Sequence, residues 1–306
     1  MNNGTKLLVL NLVLFTVFIS CKPKVSNNSK EEDTYHTGTE TVAADGSFEP
    51  IVAEEAYVFK GIYPEAKLKL NYLTENEVLR KLLNDTVRVA VLSRELDSTE
   101  VKILTKRTLP PETQPFAVDA VALIVNKTST DTLITVSDIK KMLTGNTKTN
   151  KNIVFDNPNG SLVRYLKAFA GNIDLKQKNI YALKSNKEVL NYVSTHNAAV
   201  GIIGFSWLND PDADYKAAVN NVKIVGVKDE ASKAFGKAYY KPSQETLELK
   251  QYPLSRKLYI INCTGKLGLG RGFQDFLASE RGQRIILKSG LLPDSIPQRL
   301  INIKDN

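Results

Sequence analysis

Hydrophobic and polar positions follow two different periods along the chain. Leu68, Leu70 and Tyr72 alternate with polar neighbours, the period-two mark of a half-buried strand. Residues 87–92 form a second such segment. Residues 116–125 are nearly all apolar and predict a central strand covered on both faces. Residues 153–155, 199–205, 222–227 and 258–261 read the same way. Helical spacing fills the intervals. Phe48, Ile51, Val52, Phe59 and Ile62 share one face behind a cap at Ser47, and Thr74-Glu75-Asn76-Glu77 has the form of a capping box ahead of Val78, Leu79, Leu82 and Leu83. Ser185-Asn186-Lys187-Glu188 repeats that device before Val189, Leu190 and Val193. Near the C-terminus Phe273, Phe276 and Leu277 precede Ile285, Ile286 and Leu287, with Gly290 as a helix stop and Pro293 beyond it. Alternation of this kind predicts α/β layers, and no internal repeat points to a solenoid.

The first twenty residues read as an address. Lys6 supplies a positive end, and residues 7–19 are apolar apart from Asn11 and Thr16. A run of about thirteen is short for a membrane span, which needs roughly twenty residues, and suits a signal peptide. Phe18-Ile19-Ser20-Cys21 resembles a bacterial lipobox, with Phe18 where leucine is usual; Cys21 is then the lipidated first residue of the mature chain and Cys263 a lone thiol. Residues 21–34 are polar and aperiodic, the composition of a tether.

A chain of 306 residues has room for about two domains. The net charge of +8 permits attraction of anions, but the basic residues stand singly, as at Lys140, Lys141 and Lys148, and form no run. Nucleic acid is therefore not an expected partner.

Catalysis is not expected. The two histidines, His36 and His196, have no Cys, Asp or second His at metal spacing. There is no Gly-x-Ser-x-Gly elbow and no phosphate-binding P-loop. Gly265, Gly268, Gly270 and Gly272 fail the dinucleotide fingerprint because Phe273 stands where its third glycine belongs. No cofactor and no metal is implied. Binding is better supported. Asp45-Gly46-Ser47-Phe48 opens the first helix, Thr74 caps the second, Ser93-Arg94 follows a strand, and Asn157-Pro158-Asn159-Gly160-Ser161 leads into the helix bearing Leu162, Leu166 and Phe169. A helix N-terminus presents unpaired N–H groups and a positive dipole end, so several such ends facing each other make an anion seat. Arg94 and Arg164 are placed to add bidentate hydrogen bonds.

Residues 117–126 resemble the crossing strand of Pst-type phosphate-binding proteins, and residues 133–145, ending Leu143-Thr144-Gly145, resemble the spacer and helix that follow it. Ala199-Val200-Gly201-Ile202-Ile203-Gly204 is similar to the family's glycine-bearing strand. Tyr252-Pro253-Leu254-Ser255-Arg256-Lys257-Leu258-Tyr259 is similar to its return crossing. Phe273-Gln274-Asp275-Phe276-Leu277, Glu280-Arg281-Gly282-Gln283 and Gly290-Leu291-Leu292-Pro293 are similar to its closing helices. The likeness runs collinearly over about residues 37–300.

The resemblance implies an α/β, two-lobed fold of the periplasmic binding protein type II kind, with two crossing strands as hinge. Residues 1–20 are then the signal peptide and 21–34 the lipidated tether; 35–117 with 256–306 form lobe 1, and 118–255 lobe 2. It implies a lipid-anchored, monomeric receptor at the cell envelope that hands an oxyanion, phosphate foremost, to an ABC permease. The family's ligand loops fall on Ser47 and Phe48, on Thr74, on Ser93 and Arg94, and on Asn159, Gly160 and Ser161, with Arg164 replacing an arginine missing before the fourth loop. The family's proton-accepting aspartate is replaced by Arg94, and the second loop lacks its glycines. A sensor or envelope-interaction module on the same fold is the rival expectation. A hydrolase would require Ser93 or Ser161 beside His196.

Overall fold

One fifteen-residue strand, β4 (Glu112–Asn126), holds the molecule together in the computed structural model. The structure describes residues 32–146, 151–175 and 177–295; Cys21, the expected signal peptide and most of the expected tether lie outside the described residues. The N-terminal part of β4 pairs antiparallel with β11 (Ser255–Asn262), and its C-terminal part pairs antiparallel with β8 (Ala199–Gly204). Because β4 contributes to both halves, the sheet continues from one to the other, in the order β2-β1-β3-β11-β4-β8-β6-β7. The remaining strands of that path are β1 (Gly38–Asp45), β2 (Ala66–Leu73), β3 (Val89–Leu92), β6 (Asn152–Phe155) and β7 (Ile180–Ala182). β4 and β11 are the two crossing strands of a two-lobed fold.

Each lobe has a parallel portion flanked by helices. In the first, β1 lies between β2 and β3, parallel to both. In the second, β6 lies between β7 and β8, parallel to both. Ligand crevices in such sheets open at the carboxyl ends of the strands where their order reverses. Asp45 ends β1 and Asp156 follows β6, so both carboxylates stand at such positions.

The helices follow the periodicities. α1 (Glu49–Ile62) buries Ile51, Val52, Ala56 and Phe59, and Phe59 meets Phe273 and Phe276 edge-on at 5.5 and 5.2 Å. α2 (Glu75–Leu83) starts on a reciprocal capping box at Thr74. α3 (Ser98–Lys106), which the periodicity did not announce, starts on another at Asp97. α4 (Val136–Thr144) ends on Gly145 at φ 75°, a left-handed cap that glycine adopts without strain. α5 (Ser161–Phe169) and α6 (Asn186–Thr195) cover the second lobe. Residues 222–227 split into two short strands where one was expected. β9 (Val222–Ile224) pairs with β4, and β10 (Gly226–Lys228) pairs parallel with β5 (Leu133–Thr135), because the chain leaves the main sheet at Val225. Residues 269–278 and 280–288 form the closing helices; the amide of Leu269 donates to the Asp33 carboxylate at 2.8 Å. Cys263 is a buried free thiol whose pKa burial pushes up to about 12, so it is held as an unreactive thiol. Among the described residues no helix is long and apolar enough to cross a membrane.

Candidate functional site

The ends of β1, β2, β6 and β7 converge on a cleft of about 400 Å³. Its centre is a network of buried polar groups that joins the lobes. Asp45 caps a 3₁₀ turn over Gly46–Phe48, accepting a hydrogen bond from the Ser47 amide at 2.8 Å. The cap expected of Ser47 is supplied by Asp45, and the Ser47 hydroxyl has another partner. The second Asp45 oxygen accepts from the amide of Ser161, the first residue of α5, at 3.0 Å. Amides from both lobes thus hold one carboxylate between them.

Asp156 sits beside it. One oxygen accepts from the Ser47 hydroxyl at 3.0 Å and from the Asn186 side-chain amide at 3.1 Å, and the other is buried without a partner. Burial, then the neighbouring charge of Asp45, pushes the Asp156 carboxyl up to about 7. The Trp207 indole N–H donates to the Ser47 carbonyl at 3.0 Å, closing the cleft on one side.

Arg256 is buried behind the Ser161 end of this network. It faces Asp119 across the β11–β4 ladder and donates twice to one oxygen, at 3.1 and 2.9 Å. A third N–H reaches the Ser161 hydroxyl at 3.1 Å, and the guanidinium lies 4.6 Å over the Phe48 ring. Burial pushes the Asp119 carboxyl upward and Arg256 opposes that shift. Both side chains are essentially inaccessible, so each depends on the other for compensation of its charge.

The structure brings Ser47, Phe48, Gly160 and Ser161 together around Asp45. Gly160 has little room for a side chain: an added Cβ would stand 3.2 Å from the Asn157 carbonyl and 3.8 Å from Asp45. Thr74 lines the same cleft, though its hydroxyl is engaged with Glu77 in the capping box. The Asn159 carbonyl accepts from the Asn76 amide at 3.4 Å, another tie between lobes.

Ser93, Arg94 and Arg164 form a separate cluster around Glu75. Arg164 pairs with both Glu75 oxygens and donates to Ser93 Oγ at 2.9 Å. Arg94 instead clamps Glu100 with two 2.7 Å hydrogen bonds, so its guanidinium is committed within the first lobe. His196 stacks on Tyr192 at 3.9 Å, with its ring nitrogen near Thr195 and the Tyr192 carbonyl, and neither Ser93 nor Ser161 is its partner.

Sequence reasoning missed Asp45, Glu75, Asp119, Asp156, Asn186, Trp207 and Arg256 as site residues. For two of them a signal was present. Asp119 interrupts an apolar strand, and Arg256 lies in the return crossing; a charge in a buried strand requires a partner.

Comparisons with known proteins agree with this architecture. A family model described as the PBP superfamily domain matches residues 29–281. The phosphate-binding protein PstS of Staphylococcus saprophyticus is 25% identical over 208 residues, which cover 64% of this chain and 61% of that protein, under two thirds of its length. Two solved structures share the fold. One, from Clostridium perfringens and described as a phosphate ABC transporter substrate-binding protein with bound phosphate, is 19% identical with a TM-score of 0.69, over 84% of this chain and all (100%) of that one. The other, an ABC-type phosphate transport receptor from Vibrio cholerae, is 17% identical with a TM-score of 0.62, over 84% and 100% of the two chains. With most of its length matched by that family model, and two lobes meeting over a buried polar cleft, the chain belongs to the PBP superfamily.

Proposed function

We propose that this chain is an extracytoplasmic solute-binding lipoprotein that takes an oxyanion, phosphate foremost, between its lobes and delivers it to an ABC permease. One observation carries the reading. The amides of Ser47 and Ser161, from opposite lobes, already hold an anionic group in a buried seat, the Asp45 carboxylate. An oxyanion needs this arrangement of fixed donors to replace its water shell. Asp45 stands in the anion's place and swings aside when the ligand enters.

Asp156, beside the seat, also sets the choice of anion. A carboxylate repels a fully deprotonated oxyanion and accepts a hydrogen bond from a protonated one. Phosphate carries a proton near neutral pH and sulfate does not. The phosphate-binding relatives support the same choice. Cys21 would carry the lipid, residues 21–34 the tether, and residues 35–117 with 256–306 and 118–255 the lobes of a monomer that performs no catalysis.

Calorimetric titration of the mature chain with phosphate and with sulfate tests the reading. Saturable phosphate binding at one site, with sulfate silent, is expected. Silence toward both would remove the oxyanion receptor.

The Asp45 contact itself favours a second reading. If Asp45 holds the two amides permanently, the fold serves as a sensor or envelope-interaction module without an anion ligand. No anion would then bind the native chain, and no permease would depend on it.

A further inference from the structure

A second cavity, of about 600 Å³, lies between α1, residues 206–215 and the last closing helix. Its size falls in the range of small-molecule sites, roughly 300–1,000 Å³. Its chemistry differs from that of an anion seat. Trp207, Tyr215 and Tyr72 supply aromatic wall, with the Trp207 and Tyr215 rings 5.4 Å apart. Glu49, Glu54, Asp210 and Asp212 stand around that wall against Lys60 and Lys288; Lys187, paired with Asp214, lies 5.3 Å over the Tyr215 ring, and acid remains in excess on a chain whose net charge is +8. None of these four carboxylates forms an ion pair with a described residue. Two buried hydroxyls that line the cavity also have no hydrogen-bond partner: Tyr72 Oη and Ser206 Oγ, the latter on a side chain only 3% exposed. An unpartnered buried hydroxyl is destabilising, and a ligand donor offsets that cost on arrival.

Aromatic faces attract cations, carboxylates neutralise them, and hydroxyl oxygens accept from ammonium N–H groups. We infer that this cavity binds an organic ammonium compound with an apolar body. The site adjoins the Asp45 cleft, with Glu49, Tyr72 and Trp207 as shared wall, but its acids Glu54, Asp210 and Asp212 lie outside that cleft, and it does not depend on the oxyanion reading. It borders both lobes, because α1 belongs to the first and residues 206–215 follow β8 of the second. An occupant would therefore contact the two lobes at once.

Trp207 is the chain's single tryptophan and lines both this cavity and the Asp45 cleft, so its fluorescence is read in phosphate-free buffer, where the amine is the one ligand present. Phenethylamine is the probe, with phenethyl alcohol as its uncharged analogue, titrated into the full mature chain. Phenethylamine should change the emission saturably, and the alcohol should bind at least about tenfold more weakly. The paired change Glu54→Gln with Asp212→Asn touches this cavity and not the Asp45 seat; it should weaken the amine about tenfold while leaving the melting temperature and the phosphate titration unchanged. Tyr215→Leu, checked for native melting, should also weaken it. Absence of a saturable response to the amine, equal response to the alcohol, or an unaltered affinity in the folded paired variant would each overturn the assignment. Loss of phosphate binding alone would bear on the Asp45 seat and not on this cavity.

Discussion

The Asp45 carboxylate accepts a hydrogen bond from the Ser161 amide at 3.0 Å, across 116 positions of sequence and across the cleft between the lobes. This contact is both a lobe-to-lobe tie and an occupied anion seat. Much of the behaviour expected of the protein follows from the carboxylates gathered near it.

Asp156 makes stability depend on pH in a defined direction. Its carboxyl is raised from 3.8 to about 7 in the folded chain, so the native state holds a proton that the unfolded state releases. The associated stability is full below about pH 3.8 and is lost as pH rises through about 7. Asp156→Asn keeps an acceptor for Ser47 and Asn186 and offers N–H donors to Asp45. It should stabilise the protein by ~2 kcal/mol at pH 8 and by little at pH 4, as read from urea melts at the two values.

Glu55 adds a second effect of the same sign. It lies on the buried face of α1, fully inaccessible, and neither oxygen has a hydrogen-bond partner. Burial, with Glu54 nearby, pushes its carboxyl up to about 9, so it is neutral in the folded chain at pH 7. Stability linked to it is full below about pH 4.5 and falls as pH rises toward 9. Glu55→Met removes the penalty, and thermal melts should show the largest gain near pH 9. An equal gain at pH 4 and pH 9 would mean that packing, not the proton, is responsible.

The Asp119–Arg256 pair predicts an asymmetry among variants. Arg256→Met leaves an uncompensated carboxylate in the strand core and should cost about 3–5 kcal/mol. The double change Asp119→Leu with Arg256→Met should recover most of that loss in chemical denaturation. It should still impair ligand binding, because Arg256 also positions the Ser161 hydroxyl.

Arg94 should contribute little to anion affinity. Its guanidinium is clamped by Glu100 on the same lobe, and the Arg94→Ala protein should bind phosphate within about twofold of the native chain by calorimetry. Arg164→Ala should act differently. It strips the buried Glu75 of its bidentate partner and loosens the tie between lobes, lowering the melting temperature.

The strands with strong periodicity and the capped helices were legible in the sequence because local chemistry specifies them. Thr74 with Glu77 and Ser185 with Glu188 start helices where their spacing says they should. Strand β1 was not legible, although it is central to the first lobe. Its first half reads Gly38-Thr39-Glu40-Thr41, polar residues near the sheet end, and only Val42, Ala43 and Ala44 are apolar. The site was half legible for a different reason. Ser47, Gly160 and Ser161 were identified as backbone donors, which chain order and helix starts reveal. The acids that engage those donors were not identified, because which carboxylate meets which amide depends on how the chain folds back across a separation of 116 positions. Position alone does not disclose that Glu100, six residues on, captures the Arg94 guanidinium.

The central claim is that the Ser47 and Ser161 amides form an anion seat now filled by Asp45. Calorimetric titration of phosphate into the native chain and into Asp45→Gly tests it most directly. Removing the competing carboxylate should tighten phosphate binding by at least about tenfold, with an unchanged stoichiometry of one. A correctly folded Asp45→Gly protein that binds phosphate no better than the native chain, or not at all, would contradict the account.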